Sequence, residues 1–432
     1  MQRMLVLLAC VMVAAICVAC LQSGGFMQEA LVPSPDQEGK IAIITWGNYP
    51  RNSDWHTVQP VIDKYGEDKV LHVTWPDRMF ENRDKAIKLI EELGADMEIK
   101  AFIVNWPIPE VFAAFENLRE VREDIFVVYC CSSGSDLYAM QTADLILSTD
   151  MLGMNTAMVE QAYKLGAKTL VYYSSPRAIS GYQALAHDPD FYADDPGMRE
   201  TIRLEQALLK KGQELIRAKC ADLGMELVEV TATDPAGNHH DFDEYAFLAA
   251  GIPEMVEKYG KDIAFYGTRG LSPAAIIKEV VEAGAIFPQT WRPHPYEGFD
   301  RALLGLYISD DGYEADPVTY ENPGYVMASL EDIFARIRAV LAGKNMLGRL
   351  STWPVKDEFM YTFAAAGYAA KWINGEVAKD GVDVKVLKQI MEDYAGVEVH
   401  LTPYKDEYPY TSEGTGGTYE NSLLIRMEYI TF

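Results

Sequence analysis

The stretch Asp144–Ser175 constrains the fold of this 432-residue chain more than any other. It begins with a short apolar run, Leu145–Leu147, whose composition fits a β-strand. Apolar residues then recur at helical spacing over Met154–Leu165, and Gly166 follows where a glycine commonly ends a helix. The β-branched and aromatic run Thr169–Tyr173 predicts a second strand. Strand, helix and strand within about thirty residues form a βαβ unit, which requires a parallel sheet.

Short apolar runs that alternate with helical patterns lie on both sides of this unit. The sequence predicts earlier strands at Lys40–Thr45, Val70–Thr74, Ala101–Val104 and Ile125–Tyr129, and later ones at Leu227–Val230, Ile263–Tyr266 and Ala285–Phe287. This alternation predicts an α/β fold of two doubly wound parallel-sheet domains, for which the chain is long enough. Ser148–Gly153 is the predicted passage between them, so the carboxyl ends of both sheets are expected to face one ligand cleft.

Two later segments predict further passages, so the domains are expected to share a multi-strand hinge. Gln289–Tyr296 is a proline-broken aromatic loop, and Ser351–Pro354 is the other candidate. These boundaries predict an N-terminal lobe of residues 40–149 and roughly 290–352. They assign residues 150–289 and roughly 353–432 to a C-terminal lobe.

The first residues carry the pattern of an export signal. Arg3 is the only charged residue before Glu29, and apolar sequence runs without interruption to Val18-Ala19-Cys20. A small residue before a cysteine resembles the lipobox of bacterial lipoproteins, which implies a signal peptide of residues 1–19 and lipidation at Cys20. Residues 20–39 have the composition of a flexible tether. The alternative is a retained membrane anchor over Met4–Leu21.

Charge, cysteine usage and missing motifs argue against several functions. A formal net charge of -26 repels phosphate backbones, so no nucleic-acid partner is expected. No disulfide framework, zinc spacing or nucleotide-binding glycine motif occurs, so we expect no metal, cofactor or catalytic residue. Cys130-Cys131 is more typical of a buried apolar pair than of a redox or metal pair. The cluster His239–Asp243 favours a solvated turn over a metal site.

Five segments, taken in order, carry a resemblance to a known family. They read KIAIIT, AFIVNWP, IFVVYCC, DLILSTDMLGMNTAMVEQAYKLGAKTLVYYS and DIAFYGTRGLSPAAIIKEVVEAGA. Their order resembles the type I periplasmic binding proteins, from about Lys40 to Trp353. Within that superfamily the chain is most similar to an uncharacterised family of bacterial lipoproteins. The resemblance implies a fold and a binding role, but no particular ligand.

In proteins of that fold the ligand touches loops at the carboxyl ends of strands from both domains. In the first domain, position selects Trp46, Asn48, Tyr49, Asn105, Trp106, Ser132 and Asp150. In the second it selects Ser174, Ser175, Arg177, Thr268, Arg269, Gln289 and Trp291. Aromatic rings suit stacking on a sugar or a flat heterocycle, while amides and carboxylates orient hydroxyls or ring edges. The alternatives are rim packing for the tryptophans and surface ion pairs for the arginines.

Three functions remain open at this stage. The favoured one is an exported, membrane-anchored lipoprotein on the periplasmic or extracellular face, which captures a small polar ligand for the permease of an ABC transporter. A secreted enzyme acting on a small polar substrate is the second, and a sensor presenting its ligand to a membrane receptor is the third. The expected ligand is a small sugar or a nucleoside-like ring, and an anion replaces it if Arg177 and Arg269 dominate binding.

Overall fold

The computed structural model of the chain describes residues 39–45, 54–76, 82–130, 137–174, 196–232, 244–268, 271–305, 330–406 and 416–432. Strands and helices alternate along most of this length, and the pairing between neighbouring strands is mainly parallel. The predicted α/β class is confirmed. The predicted signal peptide, Cys20 and the cluster His239–Asp243 lie outside the described residues.

The strands are β1 (Lys40–Thr45), β2 (Val70–Thr74), β3 (Ile99–Asn105), β4 (Phe126–Cys130), β5 (Leu145–Thr149), β6 (Thr169–Ser174), β7 (Glu226–Thr231), β8 (Ile263–Gly267), β9 (Ser351–Thr352), β10 (Val399–Lys405), β11 (Thr418–Met427) and β12 (Ile430–Thr431). The helices are α1 (Asp54–Tyr65), α2 (Arg83–Ala95), α3 (Pro109–Val121), α4 (Leu137–Thr142), α5 (Met151–Lys164), α6 (Pro196–Leu223), α7 (Glu244–Tyr259), α8 (Pro273–Ala283), α9 (Phe299–Leu304), α10 (Leu330–Gly343), α11 (Asp357–Ile373) and α12 (Val384–Ala395). Among the described residues, no helix combines the length and apolarity needed to cross a bilayer.

The first sheet has seven strands in the order β10-β11-β5-β4-β3-β1-β2, and we call it with its helices the first lobe. Every pair is parallel except β10 with β11. Strands β3 and β4 are buried almost throughout, as expected when helices cover both faces of a parallel sheet. One face packs on α2 and α3, and the other packs on α1 and α11.

The second sheet forms the core of the second lobe. Its parallel strands follow the order β7-β6-β8. Residues 285–287 extend it through a parallel bridge from Ala264 to Ile286, and a further bridge joins Phe287 to Leu350 beside β9. The last strand, β12, pairs antiparallel with β9. The end of the chain therefore lies at the margin of the second lobe.

The chain crosses between the lobes at three places. The first is Asp150, between β5 of the first sheet and α5, which packs on α6 of the second lobe. The second runs from β9 to α11, as the sequence predicted at Ser351–Pro354. The third lies between β11 and β12, where no sequence pattern predicted a passage. Three connections therefore join the two lobes.

The predicted passage at Gln289–Tyr296 is wrong. After Phe287 the chain stays on the second lobe, where α9 packs on α8 and α10. The ring of Phe299 lies 5.9 Å from that of Phe287. Gly298 has φ of +96°, and a Cβ there would lie 2.6 Å from the backbone nitrogen of Ala274. The loop is therefore pressed against the start of α8.

The two later segments lie on the lobes opposite to those expected. Residues 290–305 and 330–352 belong with the second lobe, and most of the chain after residue 356 belongs with the first. Helix α11 is buried from Asp357 to Ala370, because it fills the layer between α1 and strands β1, β3 and β4. Strand β11 pairs with β5, which places the antiparallel β10–β11 pair on the first sheet.

Candidate functional site

The carboxyl ends of strands from both lobes meet around a small cavity of about 40 Å³. The first lobe contributes Thr149 at the end of β5 and Asp357 at the start of α11, and the second contributes the loop 291–293 after residues 285–287. The crossings supply Met151 and Trp353, and Met154 follows in α5. A cavity of this size holds no more than a few water molecules, so a larger ligand requires the lining to move apart.

Three consecutive charged residues begin α11 beside this cavity. Lys356, Asp357 and Glu358 are all buried, although such side chains are seldom buried unless paired. Lys356 Nζ lies 2.9 Å from Glu358 Oε2, and the two side chains are only 4% and 11% exposed. The positive end of the helix dipole favours both acidic side chains in the first turn.

Glu358 also receives groups from outside its own helix. Trp106 Nε1 donates a hydrogen bond of 3.2 Å to Glu358 Oε1, and Arg292 Nη1 lies 3.6 Å from the same oxygen. Burial alone would raise the pKa of Glu358, but the charges of Lys356 and Arg292 outweigh it and hold the pKa below its ordinary value. Glu358 is therefore an ionised centre shared by the first lobe and the second-lobe loop.

Trp106 stands in an unusual backbone conformation at the end of β3. Its φ is +53°, in the left-handed region that tryptophan rarely adopts. The guanidinium of Arg292 lies over its ring, with Cζ 5.3 Å from the centroid. In this conformation the indole N–H bonds to Glu358 and the ring face lies against Arg292. We call Trp106, Arg292, Lys356 and Glu358 the cluster, and the strained backbone at Trp106 positions one of its members.

Asp357 is held by a second set of hydrogen bonds. Thr149 Oγ1 lies 2.8 Å from Asp357 Oδ2 and 2.7 Å from the Tyr361 hydroxyl. Since threonine has one hydroxyl proton and Asp357 is an acceptor, Tyr361 donates to Thr149 and Thr149 donates to Asp357. The other oxygen, Oδ1, accepts from the backbone nitrogen of Glu358.

His294 adds a buried but uncharged ring on the second-lobe side. Burial, followed by the charge of Lys356, lowers the pKa of His294 to about 3. Its Nε2 lies 3.5 Å from Glu297 Oε2. At neutral pH the imidazole is therefore neutral, and Lys356 and Arg292 are the cations beside Glu358.

Seven of the predicted ligand residues are described, and they fall into two groups. Trp106 and Trp291 belong to the cluster or line the cavity. Five others lie at strand ends and make hydrogen bonds inside the protein: the side chain of Asn105 to Thr362, that of Asp150 to the backbone of Gly153, that of Ser174 to Thr231, the backbone of Thr268 to that of Tyr173, and Gln289 Oε1 to the Tyr429 hydroxyl. The other seven, which lie outside the described residues, are Trp46, Asn48, Tyr49, Ser132, Ser175, Arg177 and Arg269. Ligand contact remains a prediction for the whole set.

Sequence reasoning missed Arg292 and the run Lys356–Glu358. A usable signal was present, because three adjacent charges directly precede the apolar segment Phe359–Ala370. A segment so apolar predicts a buried helix, and charges at its first turn must then be paired inside the protein.

A larger hollow of about 510 Å³ lies at the amino ends of strands of the first sheet. Gly39 and Lys40, at the start of β1, line it together with Lys100 and Asp124. Four of its charged residues are paired with one another, Lys100 with Asp124 and Lys40 with Glu98. Because open α/β sheets bind ligands at carboxyl ends, we favour the smaller cavity as the functional site.

Metal and redox chemistry find no support in the described part of the chain. No group of three or more histidine, cysteine, aspartate or glutamate side chains there could hold a metal ion. Cys130 and Cys220 are buried free thiols, and burial raises the pKa of each. Buried thiols of this kind behave as small apolar side chains.

The sequence of the chain matches a known protein family. The model of the family described as "Protein of unknown function (DUF3798)" matches residues 40–193 and 200–322. An "Uncharacterized protein" of Treponema pallidum (strain Nichols) is 28% identical over 198 residues, which cover 45% of this chain and 78% of that protein.

Two solved structures are similar over most of the chain. A "Putative transcriptional regulator" from Clostridium difficile 630 has a TM-score of 0.69 at 20% identity, and the match covers 92% of this chain and 99% of that one. A sugar ABC transporter protein from Actinomyces odontolyticus ATCC 17982 has a TM-score of 0.42 at 12% identity, covering 80% and 86%. The similarity to the first structure concerns the fold alone. The predicted α/β fold of two mainly parallel-sheet lobes is confirmed.

Proposed function

The chain belongs to the DUF3798 family, and we propose that it is an extracytoplasmic binding protein that captures a small polar ligand between its two lobes. One observation carries this proposal: groups from the first lobe and from the loop 291–293 of the second converge on the same buried carboxylate, Glu358. Polar groups gathered from two lobes around a cleft are the usual construction of a small-molecule site.

The connections between the lobes support capture by closure. Three short crossings join the sheets, and the cavity lies beside two of them, at Met151 and Trp353. Rotation about such crossings separates Arg292 from Trp106 and admits a ligand, while closure brings both lobes onto it. Because the cavity measures only about 40 Å³, this opening is part of the proposal.

Export and lipid anchoring extend the proposal to a cellular role. The apolar N-terminal segment ending at Cys20 supports secretion, and a lipid on that cysteine would hold the protein at the outer face of a membrane. There it would deliver its ligand to the permease of an ABC transporter. Cys20→Ser should move the protein from the membrane fraction to the soluble fraction, and a variant that stays membrane-bound would rule out lipidation at Cys20.

Identification of a ligand that copurifies with the protein tests the binding function. Protein purified without denaturation is examined by native mass spectrometry, and the compound is then released and identified. A single species of defined mass that titrates back at one molecule per chain is the expected result. Asp357→Ala should weaken that titration, whereas Asp332→Ala, on the exposed part of α10, is the matched control. Equal affinity for both variants would place the ligand elsewhere.

A further inference from the structure

We propose that the cleft binds a neutral, planar heteroaromatic ligand, a nucleobase or nucleoside, in preference to a sugar. This inference rests on the proposed binding function and narrows it to a substrate class. It depends on the lining of the cavity between the lobes, as far as the described residues form it.

The lining is mainly apolar. Five of its eight described residues are apolar, namely Met151, Met154, Trp291, Pro293 and Trp353. Indole rings and polarisable methionine sulfurs favour the faces of a planar ring. A nucleobase offers two such faces, whereas a sugar ring offers hydroxyl groups around its whole rim.

The polar side chains among the described lining residues offer few acceptors for hydroxyl groups. Thr149 already donates to Asp357 and accepts from Tyr361. Arg292 pairs with Glu358 and lies over the ring of Trp106, and its guanidinium offers donors but no acceptor. A hexose has about five hydroxyls, and each is a donor and an acceptor that needs a partner when buried. Among the described lining residues only Thr149 and Asp357 have side chains that accept hydrogen bonds, which is too few acceptors for that many hydroxyl protons.

Among the described lining residues, one donor and one acceptor are available to bind the edge of a ligand ring. The indole nitrogen of Trp353 is buried, and among the described residues it has no hydrogen-bond partner. Each carboxylate oxygen of Asp357 accepts only one bond there and keeps a lone pair for an N–H group. A base edge that presents an acceptor beside an N–H donor matches this pair.

The charges near the cavity favour a neutral ligand. Arg292 and Lys356 balance Asp357 and Glu358, and His294 is neutral at pH 7. A phosphate group would require excess positive charge, which these residues do not provide. The preferred ligand class is therefore the nucleoside or free base, not the nucleotide.

Calorimetric titration of the full mature chain tests the class. The panel is adenosine, guanosine, inosine, uridine and cytidine, with adenine and D-ribose as their separate parts and D-glucose, D-galactose and myo-inositol as competing sugars. At least one nucleoside or base should bind with a dissociation constant below about 10 µM, and the sugars at least about 100-fold more weakly. Binding of a sugar without binding of any nucleoside or base would overturn this inference and leave the binding function standing.

A variant pair isolates the unpartnered indole. Trp353→Phe keeps an aromatic ring and removes the N–H, so affinity for the bound nucleoside should fall about tenfold. Trp372→Phe is the control, since its N–H bonds to the Lys379 carbonyl away from the cleft. Equal binding by Trp353→Phe and wild type at unchanged melting temperature would refute the assigned role of Trp353. If no panel member binds and no compound accompanies the purified protein, both the ligand class and the binding function fail.

Discussion

The guanidinium of Arg292 lies over the indole ring of Trp106, and its Cζ is 5.3 Å from the ring centroid. Arg292 belongs to a loop of the second lobe, while Trp106 directly follows β3 in the first. The contact therefore spans the cleft, and both residues also reach Glu358. Any ligand that stacks on this face of Trp106 must first displace Arg292.

Removal of Arg292 should loosen the closed cleft. A cation–π contact of this kind is worth about 0.5–2 kcal/mol, so Arg292→Ala should raise the open population by about 2- to 30-fold. Small-angle scattering would show a larger radius of gyration, and tryptophan fluorescence would become easier to quench with acrylamide. Arg217→Ala, which breaks an exposed pair with Glu229, is the control. If both variants scatter like wild type, the contact does not hold the lobes together.

At Trp106, replacement by glycine should give a more stable protein than replacement by alanine, the reverse of the usual result. At φ of +53° an L side chain costs about 1–2 kcal/mol that glycine does not. We expect Trp106→Gly to be about 1 kcal/mol more stable than Trp106→Ala in urea unfolding. Trp291, whose φ is not positive, should show alanine as the more stable of the same two replacements. The same order at both positions would contradict the strained conformation.

The reciprocal pair of Asn105 and Thr362 should prove structural. Asn105 Nδ2 lies 2.9 Å from Thr362 Oγ1, and both side chains are buried between β3 and α11. Thr362→Val keeps the shape but leaves the amide unsatisfied, so the free energy of unfolding should fall by about 1–3 kcal/mol. Thr156→Val, at a partly exposed position of α5, should cost less than about 0.5 kcal/mol. Similar losses for the two variants would remove the special role of the pair.

Glu358 should make the free energy of unfolding depend on pH in the acid range. Its folded-state pKa is held below the ordinary value, so its stabilising effect is present above about pH 4.5 and is lost as pH falls toward the folded pKa. Glu358→Gln should cost about 3–5 kcal/mol at pH 7, because it leaves Lys356 and Arg292 without their partner. It should also flatten the fall in unfolding free energy between about pH 5 and pH 2.5.

Glu214→Gln, at an exposed position on α6, is the matched control for the acid dependence. It should change neither the stability at pH 7 nor the slope by a measurable amount. An unchanged slope in Glu358→Gln would mean that other carboxyl groups account for acid unfolding.

The parts of the fold that repeat locally could be read from the sequence. Strands β1 to β8 follow short apolar runs, and Gly166 ends α5 with φ of +95° as its position predicted. The sequence did not predict which lobe the last eighty residues join, because that depends on the pairing of β11 with β5, which are about 270 positions apart in the sequence. Helix α11 is apolar on all sides, so it has no stripe to indicate which sheet it covers.

The sequence predicted some residues of the candidate site but not the charged residues that the others contact. Strand-end positions indicated Trp106 and Trp291, which lie in the cluster or at the cavity. The charges at Lys356–Glu358 follow a passage rather than a strand, so that rule passed over them. Arg292 lies in the same loop as the selected Gln289 and Trp291, and no pattern in the sequence showed that it pairs with a carboxylate as distant as Glu358.

Hydrogen exchange of the protein with and without its ligand tests the central claim most directly. The compound used is the member of the nucleoside and sugar panel that binds most tightly. Peptides covering residues 149–154, 289–296 and 353–358 should exchange more slowly in the complex, because a ligand in the cleft closes both lobes onto these segments. Peptides at residues 39–40 and 97–100, around the larger hollow, should be unchanged. Slower exchange confined to that hollow, or to one lobe alone, would contradict capture between the lobes.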